Sequence, residues 1–127
     1  MKSNIVGWFE IPVADMERAI KFYQTVFNFE LSRNQMGDLD MAWFPWVSEG
    51  AGAGGSLVCH KEYYKPSTDG TLVYLISQTG DLSDELSRIE AAGGTVVQPK
   101  TLIAENYGYM AIFIDTEGNR VALHSSK

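Results

Sequence analysis

The chain has a single cysteine, Cys59, which rules out an internal disulfide and the stapled frameworks of small secreted domains. No CxxC pair exists either. Cys59 reads as a small strand residue in a reducing compartment. His60 follows it directly, but neighbours on a strand point to opposite faces, so the two do not read as a nucleophile with its base. Basic residues are in deficit, with 10 Lys and Arg against 16 Asp and Glu and a net charge of −6. Such a balance disfavours phosphate backbones, and Lys61, Lys65 and Lys100 are scattered rather than striped, so no nucleic-acid partner is expected. No apolar run approaches the roughly 20 residues that cross a bilayer. The opening MKSNIVGWFEIPV lacks the apolar core of a signal peptide, so a cytoplasmic protein with no membrane partner is expected. The AGAGG run after Gly50 is not followed by Lys-Ser/Thr, and neither HExxH nor a nucleophile elbow occurs.

What is present suits an ordered globular domain. Of 127 residues, 45% are hydrophobic and 20% are charged. Residues 5–13 read as a strand, with Pro12 near its end, where a missing N–H does least harm. Asp15 is placed to cap a helix over residues 16–27. Ala19, Ile20, Phe22, Tyr23, Val26 and Phe27 form its apolar face. A short strand at 29–31, a turn at 34–40 and an aromatic strand at 41–46 follow. Residues 48–55, with four glycines, read as a flexible loop, and 56–60 as the next strand. Pro66, Ser67, Asp69 and Gly70 mark a linker near the middle of the chain.

The second half repeats this order. A strand over 71–77 leads to Asp81, a second cap candidate. Leu82, Leu86 and Ile89 form the buried stripe of a second helix, and Gly93 and Gly94 stop it. Strands follow at 95–98, 109–114 and 120–124, the last two joined by a tight turn through Asp115, Glu117, Gly118 and Asn119. The expected fold is α+β: two βαβββ modules, about 1–64 and 70–127, in one domain. Their strands are expected to form a cupped, curved antiparallel sheet with the helices outside. Half the chain alone buries too little surface to be secure, so the modules need each other.

The run IPVADMERAIKFYQTVFNFEL at 11–31 resembles the opening of the vicinal oxygen chelate superfamily, which includes glyoxalase I, bleomycin-resistance proteins and extradiol dioxygenases. Its Val13, Asp15, Arg18, Ala19, Phe22 and Tyr23 carry the likeness. LSRIEAAGGTVVQPK at 86–100 resembles the family's second helix with its Gly-Gly exit. FIDTEGNRVALHS at 113–125 resembles its closing hairpin, with Thr116 in place of the usual proline. The resemblance implies paired βαβββ modules around a site, a divalent metal in the catalytic members, and frequent dimers.

Counting from these landmarks places the family's four metal-ligand positions at Trp8, in the stretch of Ser56, Leu57 and Val58, at Tyr74 and at Ala122. Trp8 and Ala122 offer no ligand atom, so no metal is expected at the usual positions and no cofactor is expected. An atypical divalent metal on Glu10, His60 and His124 stays open as an alternative. Strand parity puts Glu10 on the face of Trp8 and His124 on the face of Ala122, with Tyr74 and either Val58 or His60 joining them. Glu10 interrupts an apolar strand. It reads as a general base or ligand-orienting group, or as a structural carboxylate anchoring a backbone N–H, Arg18 or Arg120. His124 or Tyr74 would assist it in catalysis. Ligand-binding candidates are Trp8, Trp43, Trp46, His60, Asn106, Tyr107 and Tyr109, with residues 104–108 as a lid.

Three functions compete. The first is metal-independent binding of a small organic molecule of the bleomycin-resistance type, with the charge favouring a cationic guest. The second is a lyase or isomerase in which Glu10 removes a proton next to a carbonyl. The third is a non-catalytic interaction module acting as a homodimer.

Overall fold

The computed structural model describes residues 2–127. Its elements run β1 (Trp8–Pro12), α1 (Met16–Phe27), β2 (Ser32–Met36), β3 (Leu39–Trp43) and β4 (Gly54–Cys59) in the first module. The second module has β5 (Tyr74–Ile76), α2 (Ser83–Ile89), β6 (Thr95–Ala104), β7 (Gly108–Ile114) and β8 (Arg120–Ser125).

Each module builds its own four-stranded sheet, ordered β1-β4-β3-β2 and β5-β8-β7-β6. The expectation of one strongly curved antiparallel cup is corrected on two counts. β1 runs parallel to β4 and β5 parallel to β8, so both sheets are mixed, and neither is closed or strongly curled. The helical crossover explains the mixed order. It returns the chain so that β2 runs in the direction of β1, and the meander β2-β3-β4 reverses twice, which leaves β4 parallel to β1.

α1 buries Met16, Ala19, Phe22, Tyr23, Val26 and Phe27. That face joins Ile11, Val13 and Leu57 of the first module and Leu82, Ile89, Phe113 and Leu123 of the second in one continuous core. The Phe22 and Phe113 rings meet at 5.8 Å. Each such ring withdrawn from water contributes roughly 1.5–3 kcal/mol. Asp15 caps α1 by accepting from the Arg18 N–H at 3.1 Å. Asn28 ends it in the left-handed conformation, φ 57°, which its short polar side chain tolerates. Asp81 stands just outside α2: the N-cap residue is Leu82, and Asp81 accepts instead from the Ser83 N–H at 2.9 Å.

The closing turn of the second module locks onto the start of α1. Glu117 Oε1 accepts from the Ala14 and Asp15 N–H groups at 2.9 and 2.8 Å. Its Oε2 pairs with Arg18 Nε at 2.7 Å. The buried Tyr23 hydroxyl donates to Asp115 at 2.7 Å, and Asn119 Nδ2 donates to the Pro12 carbonyl at 2.7 Å.

Several boundaries differ from expectation. The strand placed at 29–31 lies at Ser32–Met36 and takes in part of the predicted turn. β3 begins at Leu39 and stops at Trp43, short of Pro45. The strand at 71–77 contracts to Tyr74–Ile76. β6 runs on through Pro99 to Ala104, because it is an edge strand whose register is irregular around that proline.

Candidate functional site

An open cleft of about 1480 Å³ lies between β1 and β5. Small-molecule pockets run to about 300–1,000 Å³, so this one has room beyond a compact ligand and is open to solvent. Trp8 and Glu10 line it from β1, and Tyr74 and Ile76 from β5. Trp46, the glycine-rich stretch 50–54 and linker residues around Thr71 complete the walls. At the Trp8 end the loop closes in: a Cβ added at Gly52 would lie 3.3 Å from Ile76 Cδ1. The Asn119–Pro12 hydrogen bond marks the other end. A smaller hollow of about 460 Å³ on α1, lined by Glu17, Ile20, Lys21, Gln24, Thr25 and Arg33, has no aromatic wall.

Glu10 lines the cleft, as do its neighbours Phe9 and Ile11 on β1. Its partner is neither Arg18, which is held by Glu117, nor Arg120. Tyr64 of the linker donates its hydroxyl to Glu10 Oε1 at 2.7 Å. That hydrogen bond is the main reason the Tyr64 phenol is harder to ionise than usual, with burial and the carboxylate charge adding to it. Across β4, Ser56 is the register partner of Glu10. Ser56 is fully buried, and its Oγ has no hydrogen-bond partner. Trp43 is the register partner of Ser56 on β3, and its ring meets Trp8 edge-on at 5.4 Å. Trp46, 67% exposed, packs against Gly54, where an added Cβ would lie 2.6 Å from its ring.

The histidines are engaged elsewhere. His124 Nε2 is 2.7 Å from the Tyr107 carbonyl and ties β8 to the β6–β7 turn. Two N–H groups, of Glu62 and Tyr63, donate to His60 Nδ1 at 3.1 and 3.3 Å. That leaves Nε2 to donate to Asp38 at 3.2 Å, and this bond holds the Asp38 carboxyl below its ordinary value. Neither histidine lines the cleft. Glu10, His60 and His124 are therefore not the relocated metal triad considered from the sequence. Among the described residues no three His, Cys, Asp or Glu side chains gather as a metal site. Asn106, Tyr107 and Tyr109 also lie off the cleft. Residues 104–108 form the hairpin turn, with Ala104 paired to Gly108 rather than poised as a lid, and Tyr109 stacks under the Lys100 ammonium at 4.7 Å.

The register also refines the family's ligand positions. Tyr74 pairs with Ala122 in the second module, and Trp8 pairs with Gly54 in the first. The residue matching Ala122 in the first module is thus Gly54, two residues before the stretch expected from counting and on the same face as Ser56. An indole, a hydrogen, a phenol and a methyl group stand where a metal centre needs imidazoles or carboxylates, and this donor set does not fit a divalent metal. Sequence reasoning missed Tyr64. Tyr64 lies in a linker, where no periodicity tells which way a side chain points.

Paired βαβββ modules with a cleft between their first strands define a class of small-ligand and metalloenzyme folds. The chain belongs to the Glyoxalase/Bleomycin resistance protein/Dioxygenase superfamily, whose sequence profile matches residues 5–123. Among solved structures it is similar to TnmS3, an antibiotic binding protein from a Streptomyces species, at 24% identity and TM-score 0.67, covering 100% of this chain and 99% of that one. A glyoxylase/bleomycin resistance protein/dioxygenase domain from a Frankia species gives TM-score 0.73 at 16% identity, covering 99% and 100%. Glyoxalase I from Zea mays gives TM-score 0.66 at 18% identity, covering 94% of this chain but only 45% of that one. No curated protein sequence matches.

Proposed function

We propose that the protein binds a small organic molecule between β1 and β5 without using a metal at the customary family position. The observation that supports this reading is an aromatic-walled cleft of about 1480 Å³ whose strands pair Trp8 with Gly54 and Tyr74 with Ala122, residues that offer no customary metal-ligand set. Aromatic rings supply large, rigid contact area at little entropic cost. The likeness along the full chain to a protein described as antibiotic binding is in keeping with a small-molecule ligand.

Trp8, Trp43 and Trp46 are the chain's three tryptophans and all lie in or beside this cleft. Intrinsic fluorescence therefore reports on it directly. A metabolite and antibiotic screen should give saturable changes in emission, abolished in Trp8→Ala and unaltered by a chelator, with the ligand recovered intact by mass spectrometry. Recovery of a converted product that Glu10→Gln fails to make would replace this reading with the lyase or isomerase one. Binding that requires an added divalent metal would overturn the metal-free reading.

A further inference from the structure

We infer that the Glu10 carboxylate is the seat for a cationic group of the ligand, an alkylammonium carried on an aromatic or apolar body. The inference rests on the cleft being a ligand site. Glu10 is half-buried in the middle of β1 and faces the cleft. Its one hydrogen bond is from Tyr64, a neutral donor. The ion pairs among the described residues are Arg18–Glu117, Arg33–Asp40, His60–Asp38 and Lys100–Asp81, so Glu10 has no cation within 4.0 Å. Taking a carboxylate partly out of water is costly without a compensating charge, and the chain does not provide one.

The surroundings match a cation better than a neutral donor. Trp8 stands two residues back on the same face, with Trp43 packed edge-on against it. An indole face beside a carboxylate attracts an organic cation through its quadrupole while shedding the ligand's apolar water. Lys65 and Arg120 also line the cleft. The Lys65 ammonium donates to the Lys61 carbonyl, and neither it nor Arg120 is within 4.0 Å of the Glu10 carboxylate. The net charge of −6 draws cations toward the protein as a whole.

Benzyltrimethylammonium and its uncharged carbon isostere neopentylbenzene test this, with Nile red as a neutral reporter of cleft occupancy. The wild-type protein should bind the cation about ten-fold more tightly than the isostere, and that preference should shrink as salt is raised. Glu10→Gln should erase the preference by weakening the cation alone, about ten-fold, with the neutral probes unchanged. If the neutral probes bind but the wild type shows no preference for the cation, Glu10 is not a cation seat and the cleft remains a ligand site. The same conclusion follows if Glu10→Gln leaves the preference intact. Failure of all three probes to bind would remove the ligand-site reading itself, and the cation seat with it. The salt titration of the wild-type protein keeps the test decisive if Glu10→Gln folds poorly.

Discussion

Ser56 is the residue whose cost is plainest. A hydroxyl buried without a partner forfeits about 1–3 kcal/mol of hydrogen bonding. Ser56→Ala should therefore leave the free protein as stable or raise it by up to about 1 kcal/mol in urea melts. A loss larger than that would mean the hydroxyl is bonded in solution. Tyr64→Phe should cost about 0.5–1.5 kcal/mol, because it removes one partly exposed hydrogen bond and leaves the Glu10 charge in place. Glu10 itself was legible in the sequence, since a carboxylate interrupting an apolar strand must face something polar or open. Tyr64 was not, because linker backbone has no period from which to infer direction. His124 shares the face predicted by parity but is drawn off by the Tyr107 carbonyl, a contact 17 residues away that alternation cannot foresee.

The elements were legible where a buried face imposed a period. α1 matches its predicted span, because six buried side chains at helical spacing and a capping Asp15 leave little freedom. Asp15→Ala should cost about 1 kcal/mol through loss of the bond to the Arg18 N–H. β2 was misplaced for the opposite reason. Its sequence SRNQM is an exposed edge strand with no apolar side to alternate, and only pairing with β3 makes it a strand. The hairpin after β6 turns at Gly108, where φ is 78° and an added Cβ would clash with the Ser125 carbonyl oxygen. Gly108→Ala combines that clash with the left-handed penalty, so a loss of about 2–3 kcal/mol is expected on thermal melting.

At the scale of the whole molecule, the two modules are held by a shared core and by the Glu117 latch. Burial works to raise the Glu117 pKa. The Arg18 guanidinium, the Asp15 N–H, the Thr116 hydroxyl and the Ala14 N–H outweigh it and bring the pKa from 4.5 down to about 2. A depressed carboxylate pKa stabilises the folded state above its ordinary value, and that stability is lost as pH falls. Stability should therefore decline as pH drops from about 4.5 towards 2. Arg18 is half exposed, so screening limits the latch to roughly 1–2 kcal/mol at neutral pH. Glu117→Gln should lower neutral-pH stability by about that amount and flatten the acid limb of the curve. An unchanged acid limb in the variant would assign the acid sensitivity to other carboxylates.

The amino-acid sequence alone determined the order of elements, the duplication of the βαβββ unit and the apolar face of α1. Each of these is local or periodic, and short-range sterics and burial suffice to specify it. Tertiary structure decided the rest. The parallel pairing of β1 with β4 follows from where a helix lands the chain. The pairing of Trp8 with Gly54 follows from strand register, and the pairing of Glu10 with Tyr64 from where a linker packs. These depend on contacts between residues far apart in the chain, which form only when the core has closed and chosen a single arrangement for both modules.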